Sequence, residues 1–377
     1  MSAHAAAARD ERELLAAGLE ASGALRSRRW TGAFTTVPRH VFVPRFYAGP
    51  GEDGEYELLD GTDPGQRERW LAEAYQDEPL PTEVEDGGAW RSSSSQPSLM
   101  ARMLEALEVT GGERVLEIGT GTGYNAALLC EGLGSGRVVS IDIDAGLVET
   151  ARGRLRQLGY SPVLAAADGA AGYPAGAPYD RIIATCSLPR VPAAWLAQMV
   201  PGGLIMVNLY RELGGGALAL LRAGDGQASG HFAPFFGGFM PTRTVPPGTA
   251  IETITASAGQ DGERRKTALA AGMLGDDAFG MLAALRLPGV QKTGLLPDGE
   301  PEQAWLTADD GSWAYQAEGS GTVVQGGPRR LWDLLEEAHR DWDALGRPGR
   351  GEFGLTVTSG GEHLLWCGDE RRHEWPI

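Results

Sequence analysis

A short apolar run, a cluster of glycines and a helical segment together constrain this chain more than any other feature. Arg114 to Ile118 has the branched, apolar composition of a buried strand, and Tyr124 to Leu133 has helical apolar spacing without proline. Between them lies Gly119-Thr120-Gly121-Thr122-Gly123, and glycines allow the tight turn and close ligand approach that such a junction requires. A second strand, Arg137 to Ile141, ends at Asp142, whose carboxylate suits the two hydroxyls of a ribose. The pattern predicts a nucleoside-binding unit.

The acid that precedes the first glycine by two residues indicates which nucleoside is bound. Dinucleotide sites usually contain Gly-x-Gly-x-x-Gly, so that a pyrophosphate can lie on the helix N-terminus. This chain instead has Gly-x-Gly-x-Gly after Glu117. A carboxylate there repels a pyrophosphate and suits a cation, such as the amino group or sulfonium of S-adenosylmethionine. A tight turn without a ligand is the alternative for the glycines alone, but Glu117, the glycines and Asp142 together favour S-adenosylmethionine.

Strands and helices continue to alternate after this unit, which defines the fold class. A third strand ends at Asp168-Gly169, a fourth covers residues 178–186, and Pro201-Gly202-Gly203 leads into a strand from Leu204 to Leu209. This alternation predicts an α/β, Rossmann-like, doubly wound parallel sheet with its ligands at the carboxyl ends of the strands. The glycine loop, Asp142 and Asp168 all fall at that end.

Four consecutive serines, Ser92 to Ser95, precede Gln96-Pro97 and an apolar-periodic run. Four serines are also typical of a flexible linker. Proline, however, suits the first turn of a helix, and a serine just before it suits the N-cap. We therefore predict a helix that starts near Pro97, with capping as one role for the serines.

The segment LEIGTGTGYNAALL, preceded by SQPSLMARMLEAL, resembles the protein-L-isoaspartate (D-aspartate) O-methyltransferases, and the likeness covers roughly residues 25 to 245. The resemblance implies an S-adenosylmethionine-dependent enzyme in which Ser95 is the active-site serine and Asp168 contacts the adenine amino group. The family often has Thr-Ile ahead of this serine, where this chain has Ser93-Ser94. The predicted site comprises Ser95 as catalytic residue and Ser92, Ser93, Glu117, Gly119, Thr120, Gly121, Gly123, Asp142, Asp168 and Gly169 as cofactor-binding residues.

The chain is longer than the short repair enzymes of this family. Residues 48–68 form an insertion rich in Gly, Asp and Glu, which predicts loop and turn, and residues beyond about 250 have no counterpart in the short enzymes. We predict three regions: an N-terminal helical segment with the insertion (1–90), the methyltransferase core (91–247) and a C-terminal α+β accessory domain (248–377), divided from the core at Pro246-Pro247-Gly248. The accessory domain is expected to recognise a peptide or to mediate dimerisation.

The long form is similar to the methyltransferases of actinobacterial peptide natural-product clusters of the lanthipeptide and graspetide kinds. That likeness implies methylation of an aspartyl side chain in a modified precursor peptide, leading to aspartimide or isoaspartate. Repair of isoaspartyl proteins is the alternative. A non-catalytic S-adenosylmethionine-binding module and a small-molecule carboxyl methyltransferase are further alternatives, and a homodimer is possible.

Charge and composition exclude several other classes. The net charge of -17 and the pI of about 4.8 disfavour nucleic acid, because phosphate binding requires basic patches. With a mean hydropathy of -0.21 and no apolar run of membrane-spanning length, no membrane segment is expected. The three cysteines, Cys130, Cys186 and Cys367, lie too far apart to indicate a zinc site or a disulfide framework, and a cytoplasmic location is expected.

Several histidines and tryptophans have two interpretations. Methylation of a carboxylate needs no base, so His40 is interpreted as structural. His339, His363 and His373 are scattered, and no metal site is predicted. The tryptophans of the C-terminal region either line a peptide groove or belong to the core.

Overall fold

The computed structural model describes residues 3–49, 56–84, 90–214, 216–242, 252, 254, 256, 262–296, 301–368 and 373–377. It contains two compact units: Met1–Cys186 with Pro192–Met206 and Arg222–Gly226, and Ser187–Val191 with Val207–Leu221 and Gln227–Ile377. Strands that run through residues 187, 207 and 222 contribute to both units. The predicted boundary at Pro246-Pro247-Gly248 lies outside the described residues.

The helices of the described residues are α1 Ala3–Ala21, α2 Arg28–Thr36, α3 Arg39–Phe42, α4 Arg67–Ala74, α5 Pro97–Ala106, α6 Tyr124–Leu133, α7 Ala145–Gln157, α8 Ala193–Leu196, α9 Asp277–Arg286 and α10 Leu331–Ala344. The strands are β1 Arg45–Ala48, β2 Glu57–Asp60, β3 Leu80–Val84, β4 Trp90–Ser94, β5 Val115–Ile118, β6 Val138–Asp142, β7 Val163–Ala166, β8 Tyr179–Leu188, β9 Met199–Leu209, β10 Ala217–Gly224, β11 Gln227–Phe232, β12 Glu263–Lys266, β13 Val290–Leu295, β14 Gln303–Ala308, β15 Trp313–Ala317, β16 Thr322–Gly326, β17 Phe353–Thr358, β18 His363–Cys367 and β19 His373–Pro376.

A parallel sheet organises the first unit, with the strand order β7-β6-β5-β8-β9. Strand β5 pairs in parallel with both β6 and β8, and β6 pairs in parallel with β7. The strand order therefore reverses next to β5, which is where ligands bind in doubly wound sheets. All four residues of β5 are buried, as its apolar composition predicts. The predicted Rossmann-like α/β fold is confirmed.

The described residues of the insertion, 48, 49 and 56–68, are more ordered than their composition predicts. Strands β1 and β2 form an antiparallel pair, and Phe46 opposite Leu59 is fully buried with its partner. Helix α4 follows, and a Cβ on Gly61 would lie 2.6 Å from the Trp70 ring. These apolar contacts explain why a segment read as loop and turn contains a strand and leads into a helix.

The second unit is built largely from antiparallel strands. Strands β12 to β16 form a sheet with the order β12-β16-β15-β14-β13, and β17 pairs with β11 on one side and β18 on the other. Residues 187–191, 207–221 and 227–242 thus group with the C-terminal part of the chain, whereas the predicted regions place them in the core. The division into 1–90, 91–247 and 248–377 stays a prediction about domains.

Four tryptophans of the C-terminal region are core residues. Trp305, Trp313, Trp332 and Trp342 are each at most 7% exposed. Trp305 and Trp313 pack with Val324, and the Trp305 ring stacks on Tyr315 with centroids 4.5 Å apart. Of the two interpretations made from the sequence, the structure supports core packing.

Within the part of the chain that the structure describes, no helix has the length and apolar character needed to cross a membrane.

Candidate functional site

The glycine loop lies between β5 and α6, as predicted, and all three of its glycines have left-handed φ angles of 100°, 49° and 90°. The loop is tied to β6 because the N–H groups of Gly119 and Thr120 both donate to the Ile141 carbonyl, at 2.8 and 3.1 Å. A Cβ on Gly119 would lie only 2.8 Å from Thr185 Oγ1. A side chain at this position would therefore close the space at the carboxyl end of β5.

Glu117 lies beneath this loop and is fully buried. Asn125 Nδ2 donates to Glu117 Oε1 at 2.7 Å, and Ser140 Oγ donates to Oε2 at 2.6 Å. Thr120 Oγ1, 2.6 Å from Ser140 Oγ, donates in turn because the Ser140 proton is already engaged. Burial raises the pKa of Glu117 from 4.5 to about 7 despite these two donors. The carboxyl group is supported by neutral groups alone, so a cationic ligand would favour its ionised form.

Asp142 stands at the end of β6, partly exposed. The Gly121 N–H donates to its Oδ2 at 2.9 Å and the Asp144 N–H to its Oδ1 at 3.0 Å. A carboxylate has about four acceptor sites, so each oxygen keeps capacity for a hydroxyl of the ligand. Asp142 also positions the residue that follows β7, because the Asp142 carbonyl accepts from the Ala167 N–H at 2.9 Å.

Asp168 is the next residue after Ala167, and it is exposed. It caps a short 3-10 helix, Gly169–Ala171, by accepting from the Ala170 N–H at 2.9 Å. Gly169 approaches the end of β5 closely, since a Cβ there would meet Ile118 Cγ2 at 2.5 Å. Its carbonyl accepts from Trp195 Nε1 at 2.8 Å. The predicted residues on β5, β6 and the segment after β7 therefore gather around one place.

Ser92, Ser93 and Ser94 lie in β4, which pairs antiparallel with β3, and Ser95 follows directly after the strand. Ser92 and Ser94 are buried, and the Ser92 hydroxyl accepts from Thr82 Oγ1 at 3.1 Å. Ser93 and Ser95 are partly exposed, and neither hydroxyl forms a hydrogen bond with the residues that the structure describes. The Ser93 carbonyl oxygen lies 3.7 Å from where a Cβ on Gly121 would be, so β4 runs beside the glycine loop.

The prediction that a serine caps α5 is wrong. Pro97 does occupy the first turn, but the N-cap is Gln96 and its side chain forms no cap hydrogen bond. The Asp77 carboxylate accepts from the Ser98 N–H at 2.7 Å instead. Ser92 to Ser94 are held in an extended strand by β3, and Ser95 follows that strand one residue before the N-cap Gln96. Ser95 therefore has no capping role.

Arg39 holds the serine strand in place and was missed by the sequence analysis, which considered only its neighbour His40. Its guanidinium is fully buried and donates to the carbonyls of Ser95 at 3.2 Å and Ser94 at 3.4 Å. It also donates to the carbonyls of Ala74, Gln76 and Glu78, at 3.1, 2.8 and 2.8 Å. Burial lowers the Arg39 pKa to about 10, so the side chain remains charged at neutral pH. An arginine inside an apolar run was the signal available in the sequence.

Two other side chains near the site are consistent with structural roles. His40 Nδ1 lies 2.7 Å from the Tyr75 hydroxyl and its ring packs edge-on to Trp70. Burial raises the pKa of the Cys186 thiol to about 12, which opposes a nucleophilic thiolate. Among the described residues, no group of His, Cys, Asp and Glu side chains could hold a metal ion.

The residues fit S-adenosylmethionine. Glycines at 119 and 169 keep a space that a Cβ would fill, a carboxyl supported only by neutral groups lies beneath it, and two further carboxylates border it. Glu117 would hold the cationic end, Asp142 the ribose and Asp168 the adenine. A doubly wound sheet with this site defines an S-adenosylmethionine-dependent methyltransferase.

Comparison with known proteins defines the family. The model of the "Protein-L-isoaspartate(D-aspartate) O-methyltransferase" family matches residues 62–225. A protein-L-isoaspartate O-methyltransferase of Ignicoccus hospitalis is 37% identical over 206 residues, which are 54% of this chain and 83% of that protein. One of Anaeromyxobacter dehalogenans is 47% identical over 138 residues, 36% of this chain and 62% of that protein. The chain belongs to the protein-L-isoaspartate (D-aspartate) O-methyltransferase family.

A solved structure extends the likeness of fold beyond the family region. A protein-L-isoaspartate O-methyltransferase aligns with 94% of this chain and 99% of its own length, with a TM-score of 0.56 and 24% identity. The fold of residues outside 62–225 is therefore also found in a protein of that name.

Proposed function

We propose that the chain transfers a methyl group from S-adenosylmethionine to the side-chain carboxylate of an isoaspartyl residue in a peptide or protein. Family membership supports the reaction class, and one observation supports the site. Ser95 has its carbonyl fixed by the buried Arg39, while its partly exposed hydroxyl forms no hydrogen bond with the described residues. A hydroxyl that is held in place and unengaged is suited to bind substrate.

The chain's own contribution is mainly positioning. Bound S-adenosylmethionine supplies an electrophilic methyl group on a sulfonium, which is already a good leaving group. The substrate carboxylate is ionised at neutral pH and needs no general base. Ser95 donates to one carboxylate oxygen and leaves the other to attack. Effective molarities of about 10⁵–10⁸ M are reached by well-oriented groups, so orientation alone provides a large acceleration.

Peptide tailoring is a second, more specific hypothesis, in which an L-aspartyl side chain of a modified precursor peptide is methylated and then loses methanol to give aspartimide. Its support in the sequence is the length of the chain beyond the short repair enzymes. A fold that covers 94% of this chain occurs in a solved protein named as an isoaspartate methyltransferase, so the length does not favour tailoring. The burial of Trp305, Trp313, Trp332 and Trp342 also favours core packing over a peptide groove lined by these side chains. Repair-type methylation is therefore our first proposal, and peptide recognition or dimerisation by residues 248–377 stays a prediction.

The test is a methyl-transfer assay with labelled S-adenosylmethionine and mass spectrometry. It compares an isoaspartyl peptide, the matching L-aspartyl peptide and an L-aspartyl peptide cyclised by side-chain esters. We expect methylation of the isoaspartyl peptide. If only the cyclic peptide gained a methyl group and then lost methanol, the repair-type proposal would be wrong and peptide tailoring would take its place. Binding of S-adenosylhomocysteine by calorimetry without transfer to any peptide would indicate a regulatory module.

The matched variants are Ser95→Ala and Ser98→Ala, which change neighbouring serines at the start of α5. Ser95→Ala should lower kcat by at least about tenfold while S-adenosylhomocysteine affinity stays unchanged. Ser98→Ala keeps its N–H bond to Asp77 and should retain activity. Loss of cofactor binding in a folded Ser95→Ala protein would show that the roles are assigned wrongly.

A further inference from the structure

A cleft with a volume of about 820 Å³ lies beside the candidate site and is unused by the mechanism above. Its walls are formed by the antiparallel pairs β1–β2 and β3–β4, by Thr122 of the glycine loop and by one face of α7. Ser92 and Thr122 connect it to the serine strand and the glycine loop. Glu117, Asp142 and Asp168, the acids assigned to the cofactor, are absent from its lining, whereas Ser92, which is also predicted to bind the cofactor, is part of it, so the cleft adjoins the proposed cofactor position.

The charge of the lining opposes the charge of the chain. Among the described lining residues are three arginines, Arg45, Arg91 and Arg154, and one carboxylate, Glu83, whereas the whole chain carries a net charge of -17. A local excess of guanidinium groups in an acidic protein marks this surface as complementary to an anion.

The three guanidinium groups differ in how they are paired. Arg45 is 3.3 Å from Asp60, and Arg91 is 3.7 Å from Glu83 and 3.4 Å from Asp144. Arg154 is partly buried on α7, where Nη1 donates to the Thr122 carbonyl at 3.2 Å. Within the described chain, Arg154 has no carboxylate within salt-bridge distance. Most of the N–H donors of Arg154 therefore have no acidic partner. This guanidinium is the one of the three that is most available to an anionic ligand.

The rest of the lining identifies the kind of anion. Tyr47, Leu58 and Leu147 add apolar surface next to the guanidinium groups. The cleft is large for a single inorganic anion and falls in the range of about 300–1,000 Å³ that is typical of sites for larger organic ligands. A mixed apolar and cationic wall suits a peptide with acidic side chains.

We propose that this cleft binds an acidic segment of the peptide substrate, with a substrate carboxylate on Arg154. The proposal rests on the function proposed above, because the cleft would hold residues that flank the isoaspartyl residue. Leu58 of the insertion and Tyr47, which precedes it, line the β1–β2 side of the cleft. The preference for acidic sequences would come from the cleft arginines, which lie outside the insertion.

The test uses wild-type protein and synthetic isoaspartyl peptides in which glutamate, glutamine or lysine is placed in turn at each flanking position. For at least one position, we expect the glutamate peptide to have a KM about five- to tenfold below that of the glutamine peptide, with similar kcat. Lysine at that position should raise KM. The difference should shrink as salt is added, because screening weakens the ion pair. Equal KM values for glutamate and glutamine peptides at every position would overturn the proposal.

Variants then assign the effect to the cleft. Arg154→Gln should abolish the preference for glutamate, whereas Arg222→Gln, which removes an exposed arginine paired with Glu108, should leave it intact. Glu83→Gln removes the one carboxylate among the described lining residues and should strengthen the preference. It also provides a second readout if Arg154→Gln disturbs the glycine loop. Persistence of the full preference in a folded Arg154→Gln protein would overturn the assignment.

A binding measurement separates this inference from the proposed function. Fluorescence anisotropy with labelled glutamate and glutamine peptides reports binding without methyl transfer. Failure to methylate any isoaspartyl peptide, together with tighter binding of the glutamate peptide, would refute the reaction and retain the cleft. Methylation of all peptides with equal affinity would retain the reaction and refute the cleft.

Discussion

The serine strand and the glycine loop each rest on a buried charged group, and the two are supported in different ways. Arg39, under the serines, donates to five backbone carbonyls. Glu117, under the glycines, accepts from the side chains of Asn125 and Ser140. Neither has a charged partner within salt-bridge distance among the described residues. Both charges are solvated by neutral dipoles rather than neutralised by ion pairs.

The difference lies in what pH does to each group. Burial lowers the Arg39 pKa to about 10, so the guanidinium is charged at neutral pH and donates its hydrogen bonds throughout the neutral range. Burial raises the Glu117 pKa to about 7, so near neutrality the group is poised between two states. The group that supports the serine strand thus has a fixed charge. The group that supports the glycine loop has a charge that a bound cation can favour.

Replacing Arg39 should produce the largest effect. Arg39→Met fills the volume and leaves several buried carbonyls without donors, so we expect a loss of about 3–5 kcal/mol in the free energy of unfolding. Urea denaturation followed by circular dichroism measures this loss. Arg39→Lys keeps the charge but not the several N–H donors of the guanidinium, so its free energy of unfolding should lie between those of Arg39→Met and wild type. Wild-type stability in Arg39→Met would show that the carbonyls find other partners.

Removing the charge of Glu117 should stabilise the protein without its cofactor. Because the folded pKa of about 7 exceeds the ordinary value of 4.5, the folded state holds the proton more tightly, and stability falls as pH rises from 4.5 to 7. Glu117→Gln should abolish this fall and gain up to about 3 kcal/mol at pH 8, with no gain at pH 4. The same variant should bind S-adenosylhomocysteine more weakly. A uniform change across pH would contradict the raised pKa.

His363, in the second unit, should show the opposite slope. Its imidazole is 3% exposed, its Nε2 accepts from the Val191 N–H at 2.9 Å, and Arg190 lies beside it. Burial lowers its pKa from 6.5 to about 4, so its contribution is complete above pH 6.5 and is lost as pH falls toward 4. The loss should reach about 2–3 kcal/mol. Thermal unfolding of wild type and His363→Gln across this range measures it, and parallel curves would refute the shift.

Ser140→Ala should have the smallest effect. It removes one donor to Glu117 and leaves Thr120 Oγ1 without its acceptor, which should cost about 1 kcal/mol at pH 8, where Glu117 is ionised. At pH 4 the protonated carboxyl needs this donor less, so the cost should shrink. The difference between unfolding curves at the two pH values measures it. An equal cost at both would mean that Ser140 supports packing rather than the carboxylate.

The glycine loop could be predicted because its determinants are local. The helix Tyr124–Leu133 has the predicted ends, and β5 and β6 lie within one residue of their predicted positions. Periodicity and glycine spacing describe interactions between residues that are near in sequence, so one sequence is enough. The helix α8, in contrast, covers only Ala193–Leu196, because β9 already begins at Met199.

The supports of the site could not be predicted because they act over long separations. Asp77 lies 21 residues from the helix end it caps, and Arg39 lies 56 residues from Ser95. The cleft arginines are brought together from separate hairpins and a helix. Serine is a good N-cap residue in isolation, but the pairing of β4 with β3 takes up Ser92 to Ser94, and the N-cap position falls to Gln96. Such contacts depend on how elements pack, which local patterns do not encode.

The pairing of β17 with β11 has a consequence for any shortened version of this protein. Removing residues 248–377 would strip β17, β18 and β19 from β11 and leave five paired positions, Gln227 to His231, without partners. A long bare strand is a template for the strands of other molecules, so the truncated chain is expected to aggregate. Loss of activity after such a deletion would therefore say little about peptide recognition. Point substitutions in residues 248–377 therefore test the role of this region better than its deletion does.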